Sequence, residues 1–173
     1  MPESLMLRGS DACFDKSGRF RYALWRQWDR HLPTINFIML NPSTADASHD
    51  DPTIARCRRY AERWGFGTLL VTNLFAYRAT NPRQLYAVRD PVGPDNDQYL
   101  LNAVHAAHLC IAAWGIHGQL NNRQEEVLKL LAAVPLFQLG KTRNGFPRHP
   151  LYLSQTVRPV QFIPTGPGDI VVD

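Results

Sequence analysis

The chain has 173 residues, enough for one fully cored domain and too few for two ordinary ones. Hydrophobic residues at 45% and charged residues at 20% describe a globular protein, and no apolar run is long enough for a helix to cross a bilayer, so no membrane partner is expected. The formal charge of +4 comes almost wholly from arginine, because Lys16, Lys129 and Lys141 are the only lysines; arginine suits bidentate contact with phosphate or carboxylate, but a charge of this size is weak evidence for nucleic-acid binding.

Cys13, Cys57 and Cys110 are odd in number and far apart, which fits neither a disulfide framework nor a CxxC metal site and predicts buried thiols. The opening stretch MPESLMLRGS has neither a basic start nor an apolar core, so no secretory signal is expected and the cytoplasm is the expected site of action.

In chain order, Ser10–Phe14 and Phe20–Trp25 flank Asp15-Lys16-Ser17-Gly18, the pattern of a β-hairpin (residues 10–25) with its glycine in the left-handed region. Trp25 and Trp28 are read as its anchors to the body. The apolar, β-rich run Thr34–Leu40 predicts the first core strand and stops at Asn41-Pro42-Ser43. Asp51 as N-cap, Pro52 at the first helical position and Ile54, Cys57, Ala61 and Trp64 at three- and four-residue spacing predict an amphipathic helix closed by Gly65 and Gly67. Thr68–Thr72 is a nearly unbroken apolar run of the kind buried in parallel sheets, and it delivers Asn73.

Residues 74–93 read as loop with one short helical turn at Arg83–Tyr86. Pro94 then opens a helix along Leu100, Leu101, Val104, Ala107 and His108, the histidine expected to be a hydrogen-bonded structural group on the packed stripe. A third strand, Leu109–Ala113, ends in Trp114-Gly115. A helix over Glu125–Val134 and a fourth strand over Leu136–Leu139 follow, and the latter runs into the basic loop GKTRNGFPRHP. Alternating strands and helices predict an α/β domain: a three-layer α/β/α sandwich on a central, mostly parallel sheet of four or more strands, with the hairpin added at one side. The whole chain, 1–173, is then one domain with its core over 34–157, and the Pro- and Gly-rich stretch 158–173 is expected to be an irregular extension.

Parallel strands joined by right-handed crossovers put Asn41, Asn73, Trp114-Gly115 and Arg148-His149-Pro150 at one edge of the sheet, where ligands bind in open α/β folds. No Walker loop, GxGxxG, HExxH or GxSxG is present, so specificity lies in the order and positions of these strand ends. Their chemistry suits cleavage of an N-glycosidic bond, which needs a held water on one side and donors to the departing base on the other. Asn41 is placed to orient the water and His149 to donate to the base. Asn73 presents a donor and an acceptor to an amide-like base edge, and Phe75 or Tyr77 is available to stack, with core packing the commoner duty of Phe75. Backbone N–H groups of Ser43 to Ala45, Thr44 among them, with Lys141, Arg143 or Arg148, are candidates to hold phosphate. Among Asp46, Asp50 and Asp51 one is expected to act as general base, Asp46 being preferred because Asp51 has a capping role. No cofactor is called for; the expected partner is a nucleotide or nucleic-acid substrate, and oligomeric state is not readable.

The segments MLNPSTAD, DDPTIARC, TNLFAYRAT, DPVGPDND, AAWG and GFPRHPLYL resemble an uncharacterised bacterial and phage domain family over roughly residues 20–155. More distantly, the strand-end motifs resemble the uracil-DNA glycosylase superfamily, an α/β/α fold. That resemblance implies water positioning for Asn41 in MLNPS, with Pro42 stiffening its loop, base reading for Asn73 in LLVTN, a tryptophan-glycine strand end at Trp114-Gly115, and stabilisation of the departing base by His149 in RHPLY. Leu40, Ser43 and Leu151 stand where that superfamily usually has glycine, glycine and serine. With those departures the resemblance implies base or nucleotide handling ahead of repair of duplex DNA. Two other readings compete: a non-catalytic nucleotide or nucleic-acid binding module, favoured by the arginine content, and a metal-dependent phosphohydrolase or nuclease using Asp46, Asp50, Asp51, Asp90, Asp95 and Asp97.

Overall fold

A computed structural model describes residues 5–164. Ten elements of regular structure position the site: β1 (Ser10–Phe14), β2 (Arg21–Gln27), β3 (Thr34–Met39), α1 (Pro52–Arg63), β4 (Thr68–Asn73), α2 (Asn96–Ala106), β5 (Leu109–Ala112), α3 (Arg123–Leu130), β6 (Phe137–Gln138) and β7 (Val160–Gln161), with 3-10 turns at Pro82–Ala87 and Ile116–Asn122. The seven strands form one sheet in the order β1-β2-β4-β3-β5-β6-β7.

The four central strands are parallel, as expected, and the flanks are antiparallel. β2 pairs directly with β4, so the hairpin is part of the main sheet rather than an appendage. Helices cover both faces because the strands alternate. Ile35, Phe37 and Met39 of β3 pack with Ile54, Cys57, Tyr60 and Ala61 of α1, whereas Ile38 packs with Leu100 and Val104 of α2 and Val127 of α3. Each fully buried Ile, Leu, Val, Phe or Met among them stabilises the fold by about 1.5–3 kcal/mol. The route β3–α1–β4 moves one way along the sheet under one face; β4–α2–β5 and β5–α3–β6 move the other way under the opposite face. The carboxyl ends of β3 and β5 therefore flank a topological switch point.

α1 begins as its sequence dictates: Asp51 Oδ1 accepts from Ile54 N at 2.9 Å, Pro52 fills the first turn, and Gly65 takes φ 84° just past the helix end. Cys57 and Cys110 are buried and Cys13 is half-buried, all three as free thiols. Several expectations need correction. α3 starts earlier than expected, because Arg123 anchors the start by donating to Leu74 O at 2.8 Å and to Asp97 at 2.6 Å, and it ends at Leu130, short of the expected Val134. His108 lies beyond the end of α2 and is exposed, yet it does accept a hydrogen bond, from Thr34 N at 3.0 Å. The region after residue 157 is not wholly irregular: β7 pairs antiparallel with β6, and Phe162 N donates to Leu136 O at 2.8 Å. The remainder of that expected extension, residues 165–173, lies outside the described residues.

β2 carries two buried arginines that grip the loop after β3. Arg26, 3% exposed, pairs with Asp50 at 2.8 Å and donates to the carbonyls of Ala47 and His49; Arg21, 2% exposed, donates from Nη1 to Ala45 O at 2.9 Å. Removing Arg26 leaves several carbonyls and a partly buried carboxylate without their donor. Arg26→Ala is expected to destabilise the fold by about 2–3 kcal/mol. Thermal denaturation followed by circular dichroism checks this, and an unchanged melting temperature would show that the loop is held by other contacts.

Candidate active site

Where β3 and β4 end, their chains turn away together. Leu74 N donates to Met39 O at 2.9 Å, Phe75 N to Leu40 O at 3.0 Å and Ala79 N to Pro42 O at 2.9 Å, so the loop after β3 and the loop after β4 form one wall. Asn41 laces that wall: its Nδ2 donates to Pro42 O at 3.0 Å and Ala79 O at 2.8 Å. Two carbonyl acceptors fix the amide orientation and leave Oδ1 to accept. On the other side, Gly115 at φ 71° turns the chain after β5, and its N–H donates to Pro147 O at 2.8 Å, which brings in the loop carrying His149. Gly118 must be glycine because a Cβ there would collide with the ring of Trp114.

These walls enclose a cleft of about 470 Å³, lined by Asn41, Ser43, Thr44, Asp51, Asn73, Trp114, Gly115 and His149 among others. Seven of the residues singled out in the sequence, Asn41, Ser43, Thr44, Asn73, Trp114, Gly115 and His149, thus open onto one space. Asn73 is 1% exposed, and among the described residues neither its Oδ1 nor its Nδ2 has a hydrogen-bond partner. A buried carboxamide with both ends unmet costs about 1–3 kcal/mol. His149 is half-buried and its Nδ1 accepts from Leu151 N at 3.2 Å, which places the proton of the neutral ring on Nε2. Burial lowers its pKa below the usual histidine value against the opposing pull of Asp51, which favours the neutral ring. Trp114 is buried, and its Nε1 donates to Gln124 at 2.6 Å while its ring meets Phe162 edge-on at 5.9 Å.

Other candidates stand elsewhere. Asp46 stands outside the cleft; N–H groups of Ser48 and His49 hold its carboxyl down to about 2, so it is a poor proton acceptor and serves to shape its loop. Pro42 contributes its carbonyl to the wall. Phe75 is fully buried between the sheet and α2 and α3, and Tyr77 meets Phe20 edge-on at 5.9 Å, so neither lines the cleft. Lys141 donates to Ile163 O at 2.7 Å, and Arg143 and Arg148 are exposed; none of the three reaches the cleft, because the loop turns back on itself through Thr142 N donating to Phe146 O. The acidic residues also diverge: Asp50 pairs with Arg26, Asp90 caps Val92 and Gly93, and Asp97 pairs with Arg123. Among the described residues no group of three or more His, Cys, Asp or Glu side chains is gathered to hold a metal ion, and no helix is long and apolar enough to cross a membrane.

Two further groups line the cleft: Asp51, which the sequence offers as a general base only behind Asp46, and Arg21, which it does not single out as a site residue. Asp51 is half-buried, caps α1 with Oδ1 only, and among the described residues is the only carboxylate in the cleft wall. Arg21 also lines the cleft. Strict strand alternation would put Tyr22, not Arg21, on the α1 face that Leu24 occupies. A register shift where β1 pairs with β2, between Ala23 and Arg21, breaks that alternation; Tyr22 stacks instead on Tyr99 of α2 at 4.9 Å, and Arg21 faces the cleft.

A family model described as a protein of unknown function (DUF1643) matches residues 21–151. No curated protein and no solved structure matches the chain.

Proposed function

We propose that this chain, which belongs to the DUF1643 family, hydrolyses the N-glycosidic bond of a nucleobase-containing substrate. The observation that carries the reading is the unmet carboxamide of Asn73, buried in the wall of a cleft that also presents Asn41, Asp51 and His149. An adjacent donor and acceptor match the lactam edge of a base, which offers a carbonyl beside an N–H. Asn41 orients the attacking water through Oδ1. Asp51 accepts the proton the water loses, His149 donates Nε2–H to the base, and the indole of Trp114 forms part of an apolar wall. The likeness of the strand-end loops to those of the uracil-DNA glycosylase superfamily supports the roles of Asn41, Asn73 and His149, and no cofactor enters the scheme. The cleft is large enough for a single nucleotide, which favours a nucleotide or an extruded base as the group bound.

The test is a chromatographic screen for free base released from nucleosides, nucleotides, their modified forms and single- and double-stranded oligonucleotides. Release of a base, with water as the only co-substrate, is the expected result. If a nucleotide binds tightly and no base appears across the panel, the protein is a binding module, and release of phosphate dependent on Mg²⁺ would move it to the phosphohydrolases.

A further inference from the structure

Arg21 is a costly residue to keep in the cleft wall. It is 2% exposed, it forms no ion pair with any carboxylate among the described residues, and its Nε–H has no acceptor, while Nη1 alone is spent on Ala45 O. Asp51, in the same cleft, offsets part of that charge without forming an ion pair with it, and a buried guanidinium left without a contacting counter-charge is costly to keep. Structural duty does not account for the charge, since a single carbonyl bond needs no cation and Arg26 already clamps the same loop with an ion pair and carbonyl bonds. The break in β2 that aims Arg21 at this face is the kind of irregularity found beside binding sites.

We propose that Arg21 is a further catalytic residue of this cleft: with Asn73 it forms a cationic subsite that binds the base as it leaves as an anion. The inference rests on the glycosidase reading above. When the C1′–N bond breaks, its electron pair stays on the base nitrogen and spreads to the ring carbonyl oxygens; the water oxygen bonds to C1′ and its proton passes to Asp51; the base regains a proton from solvent on release. His149 supplies a hydrogen bond to that anion but no net charge, because its ring is neutral and Nδ1 is held as an acceptor by Leu151 N. The charge has to come from a group that stays protonated. Burial lowers the Arg21 pKa to about 10, against the pull of Asp51 and with Arg78 and Arg26 adding to the lowering, so the guanidinium remains cationic at neutral pH. In a site shielded from water such a cation is worth far more to the transition state than to a neutral ground state.

The experiment compares wild type, Arg21→Gln and Arg21→Lys. Release rates are measured on glycosides whose bases have graded N–H acidity, such as thymine, uracil and 5-fluorouracil, and the ionisation of each free base in complex is followed by ultraviolet difference spectra against pH. Wild type is expected to bind each base preferentially as its anion. Arg21→Gln should lose that preference, fall about 10²–10³-fold in kcat with a smaller change in KM, and lose most on the least acidic base. Arg21→Lys should recover part of both, which a packing defect common to the two variants would not allow. If Arg21→Gln remains folded and keeps both the rate and the anion preference, the inference falls while the glycosidase reading stands. If no glycoside is cleaved yet free bases still bind as anions in an Arg21-dependent manner, the subsite stands as a binding site, whereas its catalytic role and the glycosidase reading fall.

Discussion

Asn73→Leu is expected to make the protein more stable and nearly inactive. The wild-type carboxamide is buried at the end of β4 with neither of its polar atoms bonded to any group among the described residues, so the fold bears the cost of dehydrating them without return. Leucine has a similar size and shape, and the α1 face at this end of the sheet already holds Val71, Met39 and Ile54 to pack against it. A gain of about 1–2 kcal/mol follows, which for a domain of this size raises the melting temperature by roughly 3–6 °C. Base recognition loses its donor and acceptor together, and base release should fall by about 10³ or more, because a site built around hydrogen bonds depends on them steeply. Opposite signs for stability and activity are the mark of a residue kept for its ligand. A lower melting temperature with activity retained would mean that Asn73 belongs to the scaffold.

The difference between Asn73 and Arg21 shows what in this molecule was legible from sequence. Asn41, Asn73, Trp114-Gly115 and His149 all follow the ends of parallel strands, and parallelism alone sends such residues to one edge of the sheet, so their convergence could be read from the order of elements. Arg21 could not be read, because period-two alternation assigns it to the wrong face and a break in that period leaves no sequence signal as plain as a glycine or proline. Asp51 was legible as a helix cap and was set aside for that reason; a carboxylate has two oxygens, and the cap uses one. The basic loop misled in the opposite direction. Lys141, Arg143 and Arg148 sit in a segment whose backbone pairs Lys141 with Pro147, and a tight turn of this kind points its side chains outward whatever their charge. β7 was missed because Pro159 and Pro164 bracket a strand two residues long, which becomes a strand only through its pairing with β6.

Asn41→Ala and His149→Ala should separate along the reaction coordinate. Asn41 does two jobs, holding the wall through its two Nδ2 bonds and presenting Oδ1 to the water, so its loss should lower the melting temperature slightly and cut kcat by about 10², with KM little changed. His149 acts when charge gathers on the base, and His149→Ala should cut kcat by about 10²–10³. The pH profile then tests the protonation state. A neutral donor works above its pKa and fails when acid converts the ring to the imidazolium, which forfeits the bond from Leu151 N; because burial lowers this pKa in the folded protein, the acid limb of kcat/KM should lie below 6.5 and the rate should hold through pH 7 and above. Stability follows the same sign: the unfolded chain takes up a proton near 6.5 before the native ring does, so the contribution of a neutral His149 is present above that pH and is lost as pH falls toward the native value. Were the imidazolium the working form, activity would instead disappear as pH rose past the lowered pKa, and the charge assigned to Arg21 would be superfluous.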